Sequence, residues 1–168
     1  MDVSTSEKSF SRGLSAAGRG EHLEALAYFE AAVELASRLG AESVPMKYLS
    51  YYGWCLAVCS DRLDEAREFC ETAVRGEFYN PDAYWNLGRV YLRSGERSRA
   101  FETFVRGLQL NPRHTGLVRE LRRLGIRRRP VIGLLDRAHP LNRVLGRLRR
   151  GLERTAQDSG GRGRPTGP

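Results

Sequence analysis

The 168-residue chain holds three cysteines, whose spacing is the first place to look for chemistry. Cys55 and Cys59 stand four apart, about one helical turn, and Cys70 follows on the next predicted helix. Three thiolates would make a partial zinc site, but a structural site takes four ligands and no His lies within a few residues. The spacing is not that of a C-x-x-C redox motif either. Buried free cysteine packs as a small hydrophobe, and that is the expected role here. An odd count argues against a disulfide framework and for a reducing, cytoplasmic setting. His22, His114 and His139 are far apart, and none has an Asp or Cys arranged with it as a triad or metal set. Glu21, Glu24, Glu30, Glu34, Asp64, Glu65, Glu68 and Glu71 fall on outward helix faces, the usual place for solvated charge runs with Arg partners. There is no glycine-rich phosphate loop. The expectation is a chain without catalysis, cofactor or metal.

The basic residues are the second candidate. Residues 1–112 carry 13 Lys and Arg against 16 Asp and Glu, whereas residues 113–168 carry 15 against 4. Such asymmetry points to an anionic partner for the C-terminal part. Only Lys8 and Lys47 are lysines, and arginine in place of lysine is what a GC-rich bacterial genome produces. Genome bias explains the residue type but not its concentration after residue 112. Arg127, Arg128 and Arg129 open this region. From Leu141 apolar residues recur at 141, 144, 145, 148 and 152, an amphipathic helix with Arg143, Arg147, Arg149, Arg150 and Arg154 opposite. Such a helix can lie on an anionic membrane surface or contact nucleic-acid phosphates. It can also pack its stripe back on the protein with Arg facing water. The stripe has no Trp or Phe for membrane insertion, and no aromatic follows Phe104 for base stacking. Residues 155–168, rich in Gly, Arg and Pro, are expected to be disordered. The longest apolar runs are too short to span a membrane, and the first residues have no basic-then-apolar leader pattern.

Positioning these residues requires helices, and the sequence supplies them in pairs. In 81–114, Tyr84, Leu87, Gly88 and Tyr91 fall on one helix face, Gly95 breaks the helix, and Ala100, Phe104, Gly107 and Leu108 share a face of the next. Asn80-Pro81 opens the unit with a cap residue and a first-turn proline, and Asn111-Pro112 closes it. The segment resembles the tetratricopeptide repeat, a 34-residue helix–turn–helix, with Tyr84 at the family's Trp position and Gly107 where Ala is usual. Thirty-four residues upstream, 47–80 is a weaker copy: Gly53-Trp54 and Ala57, then Leu63, Ala66, Cys70, Ala73 and Val74, with Phe78 replacing the closing proline. A third copy spans about 6–39 through Gly13, Ala16, Gly20, Ala25, Phe29, Ala32 and Val33. Ala25 to Ala66 is 41 residues where Ala66 to Ala100 is 34. The extra length is assigned to a long helix from Glu21 to Leu39, stopped by Gly40, with 41–45 as connection. A lone hairpin cannot bury its apolar face, so about three must stack and the last needs a cover. Thr115 to Leu124 fits that cover, with Thr115 as cap, Leu117, Val118, Leu121 and Leu124 as stripe and Gly125 as stop.

The expected fold is therefore all-α: a short solenoid of three hairpins (6–39, 47–80, 81–114), a capping helix at 115–124 and a basic helical extension at 126–154. The resemblance implies that first helices line an inner groove that holds another protein's peptide segment. Its groove-facing positions are Phe10 and Leu14, then Tyr48, Tyr51, Tyr52, Cys55 and Cys59, then Trp85, Asn86 and Arg89. Large apolar patches mark interaction sites, and Trp, Tyr and Arg dominate binding hot spots. The alternative is that the chain's own C-terminal segment, Val131 to Leu135, covers part of this set, or that a second copy does. Members of the family that grip chaperone-tail carboxylates use Lys, Asn and Arg at these inner positions. Phe10, Leu14 and Tyr52 depart from that pattern, leaving Asn86 and Arg89, and a more apolar ligand is favoured.

Overall fold

The computed structural model describes residues 3–38 and 44–125. Among them are seven α-helices: α1 (Val3–Arg19), α2 (His22–Arg38), α3 (Met46–Cys59), α4 (Leu63–Gly76), α5 (Pro81–Arg93), α6 (Arg97–Leu110) and α7 (Thr115–Leu124). They pack as three antiparallel hairpins, α1–α2, α3–α4 and α5–α6, with α2 and α4 each leaning on the next hairpin and α7 closing on α6. The all-α fold class is as expected. Residues 126–168 lie outside the described residues. The expected basic helix 141–154, the segment Val131–Leu135, the disordered tail and the Gly40 stop all lie outside the described residues.

Each hairpin closes where a glycine lets the second helix approach. A Cβ on Gly13 would lie 2.6 Å from the Phe29 ring, and one on Gly88 would run into the Phe104 ring. Phe29 and Phe104 are fully buried, each contributing about 2–3 kcal/mol by leaving water. In the middle hairpin a Cβ on Gly53 would lie 2.7 Å from the Ala66 carbonyl oxygen and 2.9 Å from the Cys70 sulfur, so the thiol takes the ring's place. Turn chemistry follows the outer pair. Gly20 and Gly95 take φ of 83° and 78°, a left-handed conformation that glycine adopts without steric cost. The next amides reach back to Ala16 and Tyr91 carbonyls at 3.0 and 2.8 Å, as in a Schellman ending. The α3–α4 turn has no glycine; Ser60 is extended there. As a result Gly53 stands 13 residues before Ala66, whereas Gly13–Ala25 and Gly88–Ala100 are 12 apart.

Ends and joints are also local chemistry. Asn80 caps α5 by accepting from the Asp82 amide at 3.0 Å, with Pro81 in the first turn. The cap of α7 is a correction: His114, not Thr115, supplies it, its Nδ1 accepting from the Leu117 amide at 3.1 Å. Gly107 also finds its reason, since a Cβ there would lie 2.7 Å from Leu117. The small residue lets α7 sit down on α6. Leu117 and Leu121 are buried beneath it.

Two glycines separate close packing from idle flexibility. Gly88→Ala is expected to lower stability by about 1–3 kcal/mol through overpacking. Gly18 has nothing within 4 Å of an added Cβ, so Gly18→Ala should raise stability by up to about 1 kcal/mol. Urea midpoints of the two variants check both signs.

Candidate functional site

The first helices α1, α3 and α5 share a face, and two clusters occupy it. At one end Phe10 stacks on Tyr48 at 4.7 Å, meets Tyr51 edge-on at 5.5 Å and touches Phe29 at 5.4 Å. The Lys47 ammonium lies 5.2 Å from the Phe10 ring centre. Glu7 accepts from the Tyr48 hydroxyl at 2.6 Å and from Lys47 at 2.9 Å. Those two hydrogen bonds, Tyr48 first, hold its carboxyl below the usual range.

The second cluster is built on a cation. The Arg89 guanidinium carbon lies 3.3 Å from the Trp54 ring centre and 4.4 Å from that of Trp85, so it sits between two indoles. Burial pushes its pKa down to about 10, against the opposing pull of Glu120, and the group remains cationic at neutral pH. Glu120 is itself buried, with Arg119 and Arg123 at 3.8 and 3.6 Å. Trp85 also packs against the start of α7: a Cβ on Gly116 would lie 2.7 Å from the indole, and the His114 ring lies 5.7 Å away. Because His114 Nδ1 accepts from Leu117, its Nε2 carries the proton and donates to Asp82 at 2.8 Å. Two polar atoms here are buried without a partner, Trp85 Nε1 and Asn86 Oδ1. Asn86 does donate to the Ser50 hydroxyl at 3.1 Å.

The expectation of an open trough needs correction. Phe10, Tyr48, Tyr52 and Cys55 are 4%, 1%, 8% and 0% exposed, and Asn86 is 0% exposed. Phe10 and Tyr48 cover each other where α1 meets α3. Tyr52 turns toward the second helix of its own hairpin, 5.0 Å from Phe69. The physical reason is the extra residue between Gly53 and Ala66. It shifts α3 by one position against the strict 34-residue copy, a rotation of about 100°. Trp54, read as a packing residue, thereby reaches the shared face. The signal was present in the unequal glycine–alanine spacings. Of the remaining expected residues, Leu14 is 38% exposed, and Tyr51, Cys59, Trp85 and Arg89 are half-buried. The basic set Arg127, Arg128, Arg129, Arg143, Arg147 and Arg150 lies outside the described residues.

Among the described residues, no group of three or more His, Cys, Asp or Glu is placed to hold a metal. No described helix is long and apolar enough to cross a membrane.

Residues 81–114 match the family model of the tetratricopeptide repeat. The fold is that of tetratricopeptide-repeat domains. The domain of Arabidopsis OM64 matches with a TM-score of 0.57 and 19% identity, over 73% of this chain and 95% of that one. The first domain of human RPAP3 matches with a TM-score of 0.58 and 14% identity, over 89% and 98%. The first such domain of Spaghetti (RPAP3), bound to the HSP90 peptide SRMEEVD, matches with a TM-score of 0.58 and 17% identity, over 74% and 95%. No curated protein matches the chain in sequence.

The thiols give a direct check on which side chains are covered. Burial pushes the Cys55 thiol up to about 12 and Cys70 higher still, while Cys59 is partly exposed and raised less. Since the thiolate is the nucleophile, iodoacetamide near neutral pH should label Cys59 in the folded chain and reach Cys55 and Cys70 only on unfolding. Peptide mass spectrometry reads the order, and equal rates at Cys55 and Cys59 would contradict the packing.

Proposed function

We propose that the chain is a non-catalytic cytoplasmic adaptor that holds a polypeptide segment against the face shared by α1, α3 and α5. One observation carries this reading: Arg89 stands half-buried between Trp54 and Trp85, with Leu14 and half-buried Tyr51 on the same shared face. Trp, Tyr and Arg in partly desolvated settings are the side chains that anchor interfaces. A half-buried tyrosine and an exposed leucine also leave apolar area for a partner to cover. The Spaghetti domain of the same fold is bound to a peptide, which supports a polypeptide ligand here. The ligand differs in kind from that acidic chaperone tail. Phe10 and Leu14 stand at positions where carboxylate-gripping members carry basic and amide side chains. The segment held here is accordingly more apolar.

Affinity capture with mass spectrometry, using the intact chain as bait, tests the reading. Leu14→Ser with Tyr51→Ala removes contact area from accessible positions and should weaken retention of the captured protein by about tenfold or more. Circular dichroism checks that the helices persist. Deleting residues 126–168 should leave capture unchanged at moderate salt. Retention that survives the double change but is lost on deletion would transfer the function to the arginine-rich segment.

A further inference from the structure

The start of α7 depends on the charge state of one ring. His114 is engaged at both nitrogens: Nδ1 accepts from the Leu117 amide at 3.1 Å and Nε2 donates to Asp82 at 2.8 Å. Nδ1 can accept only while the imidazole is neutral, because with a second proton both nitrogens are donors. Imidazole is also the side chain that ordinarily changes charge between pH 5 and 8. The cap holds the first turn of α7, and that turn covers part of the shared face. A Cβ on Gly116 would lie 2.7 Å from Cε2 of Trp85, the indole carbon bonded to Nε1. Nε1 itself is buried without a partner.

We propose that His114 is a pH-sensitive latch, whose protonation releases the first turn of α7 and uncovers the Trp85 edge of the shared face. A proton on Nδ1 sets one N–H against another at Leu117 and places a positive charge at the positive end of the helix. Asp82 opposes this, since its carboxylate would pair with the imidazolium. That carboxylate is 47% exposed, and water screens such a pair, whereas the ring is only 13% exposed and its charged form would lose most of its hydration. The loss of the cap therefore wins. The other charges around the ring do not reverse the balance. Arg89, 4.4 Å from the Trp85 ring centre, adds a like charge across the indole. Tyr51 on α3 faces the same Asp82 carboxylate. Arg113, next in the chain, is exposed. Among the described residues, the ring's recorded polar partners are the Leu117 amide and Asp82, with none from α6. The sign follows from which form caps: the turn is closed when His114 is neutral and opens as pH falls. Leu121 is fully buried and keeps the second half of α7 seated. The latch stands independently of the adaptor reading, and on that reading it sets how much of Trp85 a partner meets.

The test uses the full chain, labelled with nitrogen-15, followed by two-dimensional NMR from pH 7.5 to 5.0. Exposed carboxylates stay ionised over this range. The ring nitrogen shifts report the proton on His114. Exchange with solvent is read at the Leu117 and Val118 amides and at the Trp85 indole N–H, corrected for the intrinsic pH dependence of exchange. Protection at these three should fall by about tenfold or more as the His114 ring titrates, the scale of a lost helix cap, while α3 amides keep theirs. His114→Asn supplies a cap acceptor that takes up no proton, and should hold protection constant across the range. His22→Gln should leave the pH dependence in place. The measurement on the unaltered chain stands even where the Asn variant does not fold. A ring that stays neutral to pH 5.0, protection that is constant or rises as the ring titrates, or an equal fall in His114→Asn would each overturn the proposal.

Discussion

The close approach of two helices at a glycine is the constraint on which the rest of this structure depends. At Gly13 and Gly88 the backbone of a first helix lies against a phenylalanine ring of the second, in space that a single methyl group would fill. That contact sets the separation and crossing of each hairpin. It thereby decides which side chains are buried inside the hairpin and which are left for its neighbours. Close packing of this kind is unforgiving of volume, because protein interiors have few voids to absorb a displaced ring. Stacking then repeats the problem at a larger scale, and Gly107 under Leu117 shows the same solution where α7 joins.

The middle hairpin solves it differently, and the functional face follows from the difference. Cys70 replaces the ring opposite Gly53, and a glycine-free turn adds one residue before Ala66. The first helix is thereby turned by about one residue, 100°. Tyr48 and Tyr52 go to helix contacts, while Trp54 moves next to Arg89 on the following repeat. A regular 34-residue copy would have set Cys55 there. The irregular one makes an arginine sandwiched by indoles from two repeats. The site therefore exists only when α3 and α5 are stacked, and it reports on that stacking.

Features set by neighbouring residues were legible in the sequence. The Asn80 cap with Pro81, the glycine turns at Gly20 and Gly95, and the stop at Gly125 all follow from backbone preferences that need no tertiary context. The long α2 could be read from the 41-residue spacing, and its observed start at His22 lies within a residue of that expected. The open face could not be read in the same way. A helical stripe shows which residues are apolar, but not whether the next repeat covers them, and Phe10 and Tyr48 are covered by each other. His114 as a cap was also out of reach, because it depends on Asp82 fixing the far nitrogen from 32 residues away. Glu120 is buried only because α7 turns it inward beside Arg119 and Arg123.

The central claim is that one face, built by the first helices, carries the partner. Hydrogen exchange of the full chain, free and with its captured partner bound, maps that contact without altering a residue. Slowed exchange concentrated in α1, α3 and α5, strongest around Trp54 and from Trp85 to Arg89, is the predicted result. Slowing confined to α2, α4 and α6, or to residues 127–154, with the first helices unchanged, would contradict the account.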